Sequence, residues 1–333
     1  MFFDRSKTSR SGRGPKRRPW LALCAASVAL VAAALAPGGV PRAAEPAPVL
    51  ATTTVVADLV RQVAGDRLAV DSLMGPGVDP HSYRATPRDA DRLSKAKLVV
   101  ASGLHLEGKL ADMLVRLGRR TSVVAVADAI PKQKLMPVAD GLDDPHVWFD
   151  ARLWSLCVPV VVEPLARLYP GGRADFEARA AAFVKRLEAL DDRVRERLAS
   201  IPGERRVLVT AHDAFRYFGR AYDVEVVGVQ GTSTESEAGL ADINRLVELL
   251  VSRRIPAVFV ETSVADRNVQ ALREGAKARG HTVSVGGRLY SDALGGPGSG
   301  GETLEAVLLA NVETIHAALT GGAAGSSTGS GGR

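Results

Sequence analysis

From residue 49 onward the hydrophobic positions follow two alternating rhythms. Short runs rich in β-branched residues recur at 49–53, 68–73, 98–101 and 122–125, and again at 206–210, 224–229, 257–260 and 282–285. Between them lie stretches with helical spacing, such as 86–95, where Pro87 suits the first turn of a helix. Strands that alternate with helices predict an α/β protein with parallel sheets. The runs group four and four, which predicts two α/β lobes, residues 49–172 and 204–320.

The segment joining them has a different pattern. Residues 173–200 contain no Gly or Pro and set Phe176, Ala180, Phe183, Leu187, Leu190, Val194 and Leu198 on one stripe. That three-and-four spacing predicts one amphipathic helix of about 40 Å, assigned to 173–201. A rigid rod in place of hinge strands predicts little relative motion of the lobes. Residues 321–333 are Gly/Ser-rich and read as a disordered tail.

The first 44 residues stand apart. Basic residues end at Lys16-Arg17-Arg18, an uncharged apolar run spans 21–36, and small residues with Pro and Gly follow. This is the layout of a secretory signal peptide, and the run is short for a membrane span, which needs ~20 residues. Export to the periplasm or another extracytoplasmic space is expected. Cys24 follows Leu23 rather than a small residue, so acylation at Cys24 is not expected. Arg17-Arg18 leaves both the general and the twin-arginine export routes open.

Charge changes meaning once the leader is set aside. The formal charge is +6, but residues 1–44 hold eight basic residues against one acid, leaving 35 basic against 36 acidic in the remainder. The body is therefore near neutral and gives no reason to expect nucleic acid as a partner. Without the leader, Cys157 is the sole cysteine. An intrachain disulfide is then excluded, and its apolar neighbours predict a small buried hydrophobe.

Three of six histidines share a setting. His81 follows Gly75-Pro76-Gly77-Val78-Asp79-Pro80 after a predicted strand; His146 sits in Asp143-Asp144-Pro145-His146-Val147-Trp148 before a helix; His212 ends the strand predicted from 206. In open parallel sheets the loops beyond the strand carboxyl ends form the ligand crevice. Asp292, in Tyr290-Ser291-Asp292-Ala293-Leu294-Gly295, is a fourth candidate. Three neutral imidazoles and a carboxylate suit zinc, and the second carboxylate oxygen offers a fifth bond for manganese. His105, at a predicted helix start, His281, in a turn, and His316, on the last helix, are read as non-ligands. Glu261 is read as a supporting or structural residue, and Glu235 and Glu237 as the start of a helix. The Gly-rich run 295–301 lacks the Lys-Ser/Thr ending of a phosphate loop.

Taken together, Val78-Asp79-Pro80-His81-Ser82-Tyr83 with Thr86-Pro87-Arg88-Asp89, residues 103–107, the DPHVWFD run at 144–150, VLVTAHD at 207–213 and Ser291-Asp292-Ala293-Leu294-Gly295 resemble a known family over about 49–319. It is the zinc/manganese solute-binding proteins of bacterial ABC importers, the TroA-like and ZnuA-like cluster. The resemblance implies a metal site in the cleft between two lobes, with His81, His146, His212 and Asp292 at the four ligand positions. It implies one Zn²⁺ or Mn²⁺ per chain as transported ligand, and a monomer that delivers it to a membrane permease with a cytoplasmic ATPase. His at 212 is the residue of TroA-like and zinc-binding members, where manganese-selective members often carry Glu. The long His-rich loop of many zinc-specific members is missing, since 132–141 contains no histidine. Two other readings stand beside this one. A metal-dependent hydrolase needs an open metal position and a nearby general base, and this chain has no His-Glu-x-x-His; a surface adhesin or metal chaperone has no support in the composition.

Overall fold

In a computed structural model the protein is described over residues 48–321. The expected leader, with Cys24, and the tail beyond Gly321 lie outside the described residues. The first half holds a parallel sheet of β1 (Val49–Ala51), β2 (Val70–Ser72), β3 (Leu98–Ala101) and β4 (Ser122–Ala125), in the order β2-β1-β3-β4. Parallel strands need crossover connections, supplied by α1 (Thr54–Ala64), α2 (Pro87–Lys95) and α3 (Ala111–Leu117). Thr53 caps α1 by accepting from the Val56 N–H. Thr86 and Asp89 form a reciprocal capping box on α2, with Pro87 in the first turn as expected.

Two short helices, α4 (Ala151–Ser155) and α5 (Val162–Leu168), lead into α6 (Arg173–Ala199). The predicted rod is present, and all seven stripe residues are buried. It packs against α1, α4, α5 and α10 (Leu304–Thr320). Arg186 ties it to Gln62 of α1 and Glu305 of α10, and Arg197 to Glu313 of α10. Its apolar stripe belongs to a core that runs from Val49 to Leu319, so one hydrophobic cluster serves both halves.

The second half comprises β5 (Val207–His212), α7 (Arg216–Tyr222), β6 (Glu225–Gln230), α8 (Leu240–Ser252), β7 (Ala257–Glu261), α9 (Arg267–Ala278) and β8 (Ser284–Leu289). β5 pairs in parallel with β6 and β7 with β8, and β5 runs beside β7. All eight predicted strands are thus found, with ends displaced by a few residues at most. The register of β7 on β8 shifts after Val258, which pairs with Val285 while Phe259 pairs with Gly287. Gly286 is the extra residue of this bulge, and a Cβ there would lie 2.8 Å from the Phe259 ring.

Glu235 and Glu237 depart from expectation. They lie in the loop before α8, whose cap is Gly239, rather than at its start. Glu235 is drawn instead toward Lys109 of the opposite half, 2.7 Å away. His105 likewise does not begin a helix. It sits in a turn with φ of 62°, next to Leu104 at 52° and Gly103 at 93°. Among the described residues no helix is long and apolar enough to cross a membrane.

Candidate metal centre

The four predicted ligands arrive from four separate segments. His81 lies in the loop after β2, His146 opens a turn ahead of α4, His212 is the last residue of β5, and Asp292 follows β8. The fold brings one donor atom from each within 4.8 Å of all the others. His146 and His212 are fully buried, and Asp292 and His81 are 1% and 4% exposed.

The shorter separations fit a single ion. His81 Nε2 is 3.2 Å from His146 Nε2, and Asp292 Oδ1 is 3.3 Å from both His146 Nε2 and His212 Nε2. A tetrahedral ion about 2.0 Å from each ligand spaces its ligands by about 3.3 Å. Asp292 Oδ1 and His212 Nε2 are buried without a hydrogen-bond partner. Such groups cost roughly 1–3 kcal/mol each when unsatisfied, and a cation at their common focus satisfies both.

Neighbouring groups fix which nitrogen faces the centre. Asp144 Oδ1 is 2.8 Å from His146 Nδ1 and Glu261 Oε2 is 2.6 Å from His212 Nδ1, so in both rings Nδ1 is held outward and Nε2 faces the centre. The same carboxylates accept the backbone N–H of their histidines, at 3.0 and 2.9 Å. Ser263 Oγ donates to Asp292 Oδ2 at 3.0 Å. The Asp292 loop is tied to the first half as well, by Trp148 Nε1 on the Ser291 carbonyl and the Leu294 N–H on Thr54 Oγ1. Asp292 is therefore held from both halves.

Electrostatics polarise the cluster. Burial alone would push His212 down, but the Glu261 and Asp292 carboxylates outweigh it and hold the imidazole well above 6.5. His146 is raised too, because Asp144 and Asp292 overcome its burial. Burial would raise Asp292, yet His212 and His146 hold it well below 3.8. His81 is the exception: burial lowers it to about 4, with Asp292 opposing.

The other histidines lie elsewhere. His281 Nε2 meets the Ile255 carbonyl at 2.8 Å, and His316 Nε2 meets Ser200 Oγ at 2.9 Å. His105 lines a cavity of about 720 Å³ that His81 also borders. Glu261 is the supporting residue the sequence suggested, whereas Asp144 and Ser263 went unrecognised as supports. Asp144 had a visible signal, because Asp-Pro-His occurs twice. In both copies the Asp side chain accepts the His N–H two residues on, at 2.9 Å in Asp79–His81 and 3.0 Å in Asp144–His146.

Comparison with known proteins identifies the family. Residues 49–318 match the family described as the zinc-uptake complex component A, periplasmic (ZnuA). The chain belongs to the ZnuA family. Relatives include the manganese-binding lipoprotein MntA of Bacillus subtilis, 46% identical over 81% of this chain and 89% of that one. The zinc-binding protein TroA of Treponema pallidum is 45% identical over 83% of this chain and 90% of its own length. A solved structure of the periplasmic zinc-binding protein TroA from Treponema pallidum superposes with a TM-score of 0.79, covering 81% of this chain and 98% of that chain. The parallel-sheet α/β fold with its long helix is the fold of that neighbour. Several ZnuA-family relatives are named lipoproteins, which leaves the expectation that Cys24 stays unmodified without support.

Proposed function

We propose that this protein binds one divalent transition-metal ion, zinc or manganese, outside the cytoplasmic membrane and delivers it to an ABC permease driven by a cytoplasmic ATPase. The observation that carries the reading is the convergence of four buried donor atoms, two of them without any other partner. His81, His146, His212 and Asp292 are the proposed ligands, and the relatives' names, zinc-binding for one and manganese-binding for another, support that choice of ions. The ion is cargo. It is held by residues of both halves, 49–172 and 204–320, joined through α6, and release follows when docking on the permease draws ligands apart. We read the chain as a monomer and not as an enzyme: four donors fill a tetrahedral site and leave no position for a reacting water.

Elemental analysis of the purified protein, followed by competitive titration of the stripped protein with Zn²⁺ and Mn²⁺, tests this. One equivalent of metal, lost in the His212→Ala/Asp292→Ala double variant, is expected. Unchanged affinity in that variant overturns the shared site. Metabolic labelling with a radioactive fatty acid, compared with Cys24→Ser, decides whether the exported protein carries a lipid.

A further inference from the structure

The two Asp-Pro-His turns begin alike and end differently. Asp144 turns its carboxylate back onto its own histidine ring. Asp79 accepts the His81 N–H at 2.9 Å through Oδ1 and then presents Oδ2 to Ser82 Oγ at 2.7 Å and Thr234 Oγ1 at 2.6 Å. Thr234 belongs to the loop between β6 and α8, on the opposite half. One carboxylate thus holds the loop of a ligand and also reaches across the cleft.

His81 is the ligand beside that crossing, and it differs from the other histidines. His146 and His212 each have a carboxylate on Nδ1, and among the hydrogen bonds of the described residues none involves His81 Nδ1. His81 is also the one ligand that borders the 720 Å³ cavity, whose wall includes Thr232, Ser233, Glu235 and Ser236 of the Thr234 loop. His81 is thus the ligand that lies between the buried centre and that cavity. The Thr234 loop is tied to the first half a second time by the Lys109–Glu235 ion pair at 2.7 Å.

We infer that Asp79 is a positioning residue for His81, and that its bond to Thr234, reinforced by Lys109–Glu235, is a latch that sets how fast the metal ion leaves. This rests on the proposed metal-binding function. Breaking the latch leaves all four ligands and the Nδ1 supports of His146 and His212 in place, so it changes exchange rate and not the ligand set. Short hydrogen bonds to a carboxylate are among the stronger ones, and loss of the Thr234 hydroxyl is expected to speed release about tenfold.

The test is stopped-flow release of Co²⁺ from the loaded protein into excess chelator. Thr234→Val should release about tenfold faster, Thr234→Val/Glu235→Gln faster still, and Thr234→Ser at close to the original rate. The visible absorption of bound Co²⁺ and the one-to-one stoichiometry should not change, which separates a latch from general loosening of the site. Release within twofold of the original rate in both Val variants, from proteins that bind Co²⁺ normally, overturns the latch alone. An unaltered protein that takes up no Co²⁺ overturns the binding function and the latch together.

Discussion

Glu261 grips His212 twice, with Oε2 2.6 Å from the ring Nδ1 and Oε1 accepting the backbone N–H at 2.9 Å. Both residues are fully buried. Removing the carboxylate leaves the ring free to rotate and to present either nitrogen. Supports of this kind are worth about 10–100-fold in metal affinity. Glu261→Ala is expected to weaken Zn²⁺ binding by that factor, measured against a chelating dye, and Asp144→Ala by a similar one through His146. Affinity unchanged in both would mean that the rings are held by packing alone.

Proton release should accompany binding. Burial opposes it, but Glu261 and Asp292 hold His212 above 6.5, so the metal-free ring keeps its proton to higher pH than a free imidazole does, and an incoming cation displaces it. Affinity therefore falls with pH from above His212's own raised value, earlier than free histidines at 6.5 would dictate. Titration calorimetry at pH 7 in buffers of differing ionisation enthalpy should report net proton release; none released refutes the argument. Stability of the metal-free fold follows the same signs. The raised His212 contributes fully below 6.5, and its contribution fades as pH rises through its folded value. The depressed Asp292 contributes fully above 3.8 and is lost as pH falls through its folded value.

Ser263 bears on the choice of ion. Its hydroxyl lies 3.0 Å from Asp292 Oδ2 and 2.6 Å from Ser291 Oγ, so Oδ2 is engaged away from the centre while Oδ1 faces it. A single carboxylate oxygen with three imidazoles suits tetrahedral zinc, and manganese favours the extra bond that Oδ2 would supply. Ser263→Ala should narrow the Zn²⁺ over Mn²⁺ preference by about tenfold. A ratio that does not move in competitive titration would separate the Ser263 bond from metal choice.

The four proposed ligands, which the fold does bring together, were legible because each stands in a short motif at a strand or loop end, where parallel sheets gather their sites. The strands were legible from β-branched runs, and α6 from a stripe unbroken by Gly or Pro. The roles of Glu235 and Asp79 were not, because they depend on contacts between residues far apart in sequence: Glu235 with Lys109, and Asp79 with Thr234. Acids ahead of a helix look alike on paper whether they favour its dipole or bridge a cleft. Ser263 had no motif at all, and its role appears only once β7 and β8 lie side by side.

Cys157 should be inert while the protein is folded. It is fully buried in the core beneath α6, and burial pushes its thiol far above the usual range, so little thiolate forms. Thiol reagents at pH 8 are expected to modify it only in denaturant. Rapid labelling of the native protein would mean that the α4–α6 core opens readily.

The last expectation concerns α6 itself. Phe183 is fully buried on its stripe, within the cluster that both halves share. Phe183→Ala should cost about 3–5 kcal/mol, since a large cavity would open where the halves meet, and urea unfolding measures this directly. A helix so embedded cannot bend without opening that core, so motion between the halves should be small. X-ray scattering with and without Zn²⁺ is expected to give radii of gyration within about 1 Å. A larger change would show that opening proceeds through the loops around α6 while the helix stays straight, and the latch at Asp79–Thr234 would then be one clasp on a wider movement.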